Sequence, residues 1–248
     1  MSCPDLTDWY LRNRVAVVDV RSSTFQRARS QVMPTGYDAN VCLRRLVKAG
    51  RIRRIRAGLY VVRDPARETP AIAIASGIFV EAPHYVTTDA ALAHHGLIDQ
   101  PITTITVVLP RIRRSFAIDP TTTLRPVTLD ENRVREADAY QTTVDGFGIR
   151  VASREQAVVD ALAEPKWMVY GDLLPEVLAA FSDDEIKRTA TGTLARTTAA
   201  AQRLGYLLEE AQRPLPSGLA NLRPVRAVRL RPQNRSRGRY STRWRMYG

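Results

Sequence analysis

The stretch from Thr35 to Arg63 constrains this chain most, because its apolar pattern changes period partway along. In TGYDANVCLRRLVKAG, residues Ala39, Cys42, Leu43, Leu46 and Val47 share one side of a 3.6-residue wheel. Thr35 and Asp38 offer side-chain oxygens to the unpaired N–H groups of a helix start, and Gly50 ends the run. In RIRRIRAGLYVVR, which follows, Ile52 and Ile55 alternate with arginines, Arg56-Ala57-Gly58 suits a tight turn, and Leu59–Val62 is rich in β formers. A helix running into a basic two-stranded ribbon is the layout of a recognition helix and its wing.

The outward side of that helix carries Tyr37, Asn40, Val41, Arg44 and Lys48, with Arg45 at its margin. Such a face is basic and long enough to reach base edges in a major groove. Tyr37, Asn40, Arg44 and Lys48 would enter the groove, while Arg45 and the ribbon's Arg51, Arg53, Arg54 and Arg56 would hold phosphates. Upstream, Leu6, Trp9, Tyr10 and Val15 make an apolar stripe for a first helix, and Val15–Val20 reads as a strand. Ser23 with Gln26 forms a capping-box pattern for a helix that carries Phe25 inward, and Met33-Pro34-Thr35-Gly36 makes a turn. Helix, strand, helix, helix, ribbon is the order of a winged helix-turn-helix.

Charge distribution points the same way. Residues 1–63 hold 13 basic and 4 acidic residues for a net +9; residues 64–222 carry a net −6; residues 223–248 have nine arginines and no acid. A basic head on an acidic body fits a DNA-binding module better than a uniformly sticky surface, so double-stranded DNA is the expected partner. With 248 residues, 44% of them hydrophobic, the chain can bury a core in each of two domains. The expected division is 1–66 as the winged module, 67–82 as a connecting helix, and 83–248 as a larger C-terminal domain.

In that second part Thr87/Thr88 cap a helix with Ala90, Ala91, Leu92 and His95 that ends at Gly96. Ile102–Pro110, Leu124–Leu129, Ala139–Val144 and Ile149–Ala152 read as strands, with PRIRR (110–114) as a basic loop and Asp145-Gly146-Phe147-Gly148 as a turn. Ser153 with Gln156 is another capping box, and residues 170–212 are helical in pattern: 173–181, a helix opened by Ser182-Asp183-Asp184-Glu185, and 194–211. The tail reads as two strands, 225–230 and 240–247, around a 233–238 loop, because disordered basic arms lack its aromatic and branched residues. The fold class expected is α+β: an N-terminal winged helix-turn-helix followed by a larger mixed α/β domain.

Signatures of catalysis are missing. There is no phosphate-cradling glycine motif, no H-E-x-x-H and no C-x-x-C. His84, His94 and His95, with Asp89 and Asp99 as their closest acids, make a poor metal set; His95 is expected to pack at its helix end and His94 to face water. Asp160 and Glu164, four apart on one helix, read as solvated carboxylates, and Cys3 and Cys42 give no disulfide scaffold or zinc site. No catalytic residue, metal or cofactor is nominated. A polar N-terminus and the lack of a long apolar run predict a cytoplasmic protein without a membrane span.

Four motifs carry a family resemblance. LRRLVKAGRIRRIRAGLYVV, HYVTTDAALAHHGLIDQ, IRVASREQAVVDAL and AQRLGYLLE, in this order and spacing, resemble the AbiEi-type antitoxins of bacterial abortive-infection systems, also catalogued as predicted transcriptional regulators of viral defence. The final RYSTRWRMY resembles that family's closing strand with its tryptophan. The resemblance implies a type IV antitoxin encoded beside a nucleotidyltransferase-like toxin. Its N-terminal module would bind inverted repeats in the promoter and repress the operon, and its C-terminal domain would counteract the toxin, with or without touching it. The chain lacks the toxin's own Gly-Ser followed by Asp-x-Asp, so it reads as the antitoxin half. The alternatives are a transcriptional regulator with an effector domain and no toxin partner, and an enzyme that modifies the toxin or RNA.

Overall fold

The computed structural model describes residues 6–34, 36–230 and 240–248; Thr35, expected as a helix cap, and the 233–238 loop lie outside the described residues. The fold is mixed α+β and divides into two compact units. One comprises residues 1–86, 107–136 and 140–151, and the other residues 87–106, 137–139 and 152–248.

The first unit opens with α1 (Leu6–Arg12), β1 (Val17–Asp19), α2 (Ser23–Val32), α3 (Ala39–Lys48), β2 (Ile52–Arg56) and β3 (Leu59–Val62). β1 pairs antiparallel with β3 and β3 with β2, so the ribbon gains a third strand from upstream. The apolar faces meet in a core of Leu6, Trp9, Tyr10, Phe25, Leu43, Leu46 and Ile52, where each fully buried large side chain contributes roughly 1.5–3 kcal/mol. Helix α2 is capped by Ser22, whose hydroxyl accepts from the Phe25 N–H at 3.0 Å, and not by Ser23. Ser23 and the Thr24 N–H donate to Glu81 instead, at 2.8 and 2.7 Å. Val47, expected on the apolar side of α3, is 40% exposed. It lies about 90° around the helix from the middle of the Cys42–Leu46 stripe, beyond the edge of the core. Cys42 is disulfide-bonded, although two cysteines form no spacing pattern from which a bond is read.

Farther along come α4 (Ala71–Gly77), β4 (Tyr85–Thr87), α5 (Thr88–His94), β5 (Thr104–Leu109), β6 (Phe116–Ala117), β7 (Thr123–Thr128), α6 (Glu131–Glu136), β8 (Ala139–Val144) and β9 (Phe147–Ala152). Their strands form a six-stranded sheet in the order β6-β7-β5-β4-β9-β8. β4 and β9 pair in parallel at Val86 and Val151, and β6 and β7 run antiparallel. Asp145 and Gly146, with φ of 49° and 83°, make the two-residue turn between β8 and β9, so β9 starts at Phe147, two residues ahead of expectation. β6 and α6 carry too little apolar periodicity to be read from sequence: one has two residues, and the other, ENRVRE, buries only Val134.

The second unit is largely helical: α5, α7 (Arg154–Ala163), α8 (Leu174–Ala179), α9 (Asp183–Arg196), α10 (Thr198–Glu210) and α11 (Ser217–Ala220). Ser153 caps α7 and the Ser182/Glu185 capping box opens α9, as their spacing predicts. The helix expected to begin at residue 194 begins at Thr198, because Thr197 is extended and its hydroxyl caps the Ala200 N–H. In the tail, β10 (Val228–Arg229) pairs in parallel with β12 (Met246–Tyr247), and β11 (Tyr240–Ser241) pairs antiparallel with β12. The hairpin therefore lies inside 240–247, and not between 225–230 and 240–247.

Candidate functional site

Helix α3 presents its polar side to solvent. Asp38 accepts the Asn40 N–H at 2.8 Å and so fixes where the helix begins. From that start Asn40, Arg44 and Lys48 recur every fourth residue and form one exposed stripe. Arg45 is exposed beside it and donates to the Tyr37 hydroxyl at 3.0 Å. Tyr37 itself is half-buried against the core, so its ring anchors the approach to the helix while its hydroxyl orients Arg45.

The four ribbon arginines do not form one row. Arg51 is ion-paired at 2.5 Å with Asp8 of α1, a residue whose partner no local pattern indicates. Arg53, opposite Val61, lines a cavity of about 720 Å³ together with Arg63, Arg67 and Asp119. Arg54 is on the other face of β2 and is exposed. A bulge between Arg54 and Arg56 breaks the alternation, and the Arg56 guanidinium lies 4.1 Å over the Phe116 ring. Of the nine sequence-nominated residues, the structure groups Asn40, Arg44, Arg45 and Lys48 on one helix and leaves Arg54 open on the ribbon. Arg51, Arg53 and Arg56 each turn toward other parts of the first unit.

Two buried polar clusters escaped the sequence reading. In the first unit Ser76 Oγ sits 2.9 Å from His84 Nε2, and His84 Nδ1 is 2.9 Å from the Ala82 carbonyl. The carbonyl can only accept, so Nδ1 carries the proton and Ser76 donates to Nε2. Burial, reinforced by the Arg150 charge, holds His84 below the usual histidine range against the pull of the Ala82 bond. Ser76 Oγ also accepts the Arg150 N–H at 3.0 Å, and a carbonyl stands where a catalytic triad has a carboxylate. This pair holds backbone in place.

In the second unit the start of α5 is a polar knot. Thr87 Oγ1, expected to cap the helix, donates to Asp160 Oδ2 at 2.8 Å, and Gln156 donates to the other oxygen at 3.0 Å. Asp160 is fully buried, which corrects its reading as a solvated carboxylate: inward-facing positions of α7 meet the donors that α5 offers. Asp89 accepts the Val169 and Tyr170 N–H groups at 2.8 Å each, and Thr88 and Thr106 donate to the Trp167 carbonyl. Thr88 has a φ of 52°, costly for a β-branched residue and tolerated because its neighbours over-determine it. His95 donates through Nε2 to the Ala152 carbonyl at 2.8 Å, so Nε2 is the protonated nitrogen. His94, expected in water, is half-buried edge-on to His95.

Gly205 in α10 has Trp244 where a Cβ would be, and Trp244 is 1% exposed. Its indole N–H donates to Glu209 at 2.5 Å and its carbonyl accepts from Gln202 at 2.7 Å. Gln202, Gly205 and Glu209 of AQRLGYLLE thus form one packed contact with Trp244 of the closing segment. Among the described residues no group of three or more His, Cys, Asp or Glu side chains is placed to hold a metal ion, and no helix is long and apolar enough to cross a membrane.

The comparisons agree with this anatomy. No curated protein sequence matches the chain significantly. A crystal structure of the RV2827C protein from Mycobacterium tuberculosis is similar at a TM-score of 0.62 and 19% identity, over 97% of this chain and 89% of that one, a likeness of fold. The family model of the AbiEi antitoxin C-terminal domain matches residues 86–210, half of the chain, and takes in the polar knot and the α7, α9 and α10 helices. The chain therefore belongs to the AbiEi antitoxin family, whose role is that of the antitoxin in a type IV toxin–antitoxin pair.

Proposed function

We propose that this antitoxin is also a DNA-binding repressor of its own operon, acting through a winged helix-turn-helix in residues 1–66, while residues 83–248, joined through 67–82, counteract a nucleotidyltransferase-like toxin. It does so without catalysis of its own and without metal or cofactor, from the cytoplasm. The observation that carries the reading is the exposed stripe of Asn40, Arg44 and Lys48 on a capped helix, followed by a ribbon bearing Arg54, in a segment of net charge +9. Asn40 and Arg44 suit base edges; Arg45, Lys48 and Arg54 suit phosphates. Arg51, Arg53 and Arg56 would reach phosphates only by leaving Asp8, the Arg63/Arg67 cavity and Phe116. A single module reads few bases, so inverted repeats bound by two copies are the natural operator.

Binding of the full chain to duplex from its own promoter, measured against salt and against random duplex, tests this. Asn40→Ala and Arg44→Ala should erode preference for the promoter by roughly 1–3 kcal/mol each. Arg54→Ala should weaken both duplexes alike and lower the salt slope by about 0.9. Equal losses on both duplexes for all three variants would refute the division of labour.

A further inference from the structure

Between β5 and β6 the first unit carries Pro110-Arg111-Ile112-Arg113-Arg114-Ser115, in which residues 111–115 are all exposed. Ile112 is 85% exposed, more than any other large hydrophobic among the described residues. Arg111, Arg113 and Arg114 have no ion pair among the described residues. Both ends are anchored: Leu109 is buried and its carbonyl accepts the Leu129 N–H, while Phe116 pairs with Leu124. Phe116 is also the ring under Arg56, the last residue of β2 before the Ala57-Gly58 turn, so the loop stands beside the ribbon tip.

The loop also has the reach. β7 lies between β5 and β6, with Leu109 beside Leu129 and Phe116 beside Leu124, so the loop's ends are about 10 Å apart across the sheet and about 15 Å apart along it, roughly 18 Å in all. Seven Cα steps from Leu109 to Phe116 span about 24 Å extended, which allows a backbone apex near Ile112 about 8 Å from the line joining the loop's ends, with the side chains reaching beyond it. A B-DNA minor groove is about 7.5 Å deep. Arginines flanking one exposed branched side chain match how minor-groove proteins combine charge in a narrow groove with an apolar wedge between base steps.

We infer that residues 111–114 are a second DNA-contacting element, entering the minor groove next to the ribbon with Ile112 as the wedge. The inference rests on the DNA-binding reading above. It extends the footprint past the module that carries the recognition helix.

The test is fluorescence anisotropy of the full chain on duplex from its own promoter, across a salt series, with and without the minor-groove ligand netropsin. Four proteins are compared: wild type, Ile112→Ala, the triple Arg111/Arg113/Arg114→Ala, and Arg44→Ala/Lys48→Ala. The triple variant should lower the salt slope by about 2.7 and lose sensitivity to netropsin. Ile112→Ala should bind on the order of tenfold more weakly with the slope unchanged, since its contact is apolar. Unchanged melting temperatures would show that both loop variants fold. If loop variants bind like wild type while Arg44→Ala/Lys48→Ala binds weakly, the inference fails and the helix reading stands. Netropsin-insensitive wild-type binding removes the minor groove from the account. A triple variant that binds DNA normally but no longer protects cells from the toxin assigns the loop to the toxin and overturns the inference. No binding by the wild type defeats the DNA reading and this inference with it.

Discussion

His84 shows how one side chain reports on the packing around it. Its ring is buried, donates to Ala82 and accepts from Ser76, and burial lowers its proton affinity below the 6.5 of a free histidine. An unfolded chain therefore binds a proton here before the folded one does. The stability this contributes is complete above about pH 6.5 and is lost as pH falls toward the folded value. The melting temperature should accordingly drop between pH 6.5 and 5, with a slope of at most about 1.4 kcal/mol per pH unit for each histidine involved. His84→Gln should melt lower at pH 7.5 yet show a shallower decline, the remainder coming from His94, which burial and His95 shift the same way. An unchanged slope in that variant would mean His84 is not the buried neutral group described. Neither its partner nor its burial was legible in sequence, since Ser76 and His84 are brought together by a turn after α4 that no periodicity marks.

Among the elements, α10 and the closing strands depend on a single absence. Gly205 costs helix stability, roughly 0.5–1 kcal/mol relative to alanine, yet a Cβ there would overlap the Trp244 ring. Gly205→Ala should thus destabilise by about 1–3 kcal/mol, the opposite sign to helix propensity. Near-ultraviolet dichroism of the tryptophans alongside thermal melting reads both effects; a stabilised variant with an unperturbed spectrum would show that Trp244 does not pack there. Helix α3 and its ribbon were legible because cap, apolar stripe, glycine stop and two-residue turn are all local and agree. The α9/α10 break was legible only to within a few residues, expected at 194 and found at Thr197, because Thr197 extends the backbone within a pattern that stays helical on both sides. The uses of Arg51 and Arg56 were hidden for a related reason: Asp8 and Phe116 are distant in sequence, and a run of arginines has the same composition whether it faces phosphate or its own protein.

At the scale of the whole molecule, charge and burial assign different work to different regions. Thr87 to Asp89 and Asp160, inside the motifs that carry the family resemblance, are buried in the polar knot, so they build the antitoxin domain and offer little surface to a partner. The exposed basic stripe of α3 lies outside the matched residues 86–210, which fall in both compact units. Toxin antagonism and DNA binding should therefore be separable by point substitution without cutting the chain, which matters because the first unit draws residues from three sequence segments. The most direct measurement is growth of cells expressing the cognate toxin together with full-length wild type or Arg44→Ala/Lys48→Ala, with promoter binding assayed on the same proteins. The account predicts that both proteins restore growth while only the wild type binds the promoter. Failure of a folded wild type to restore growth, or loss of rescue together with DNA binding in the variant, would contradict it.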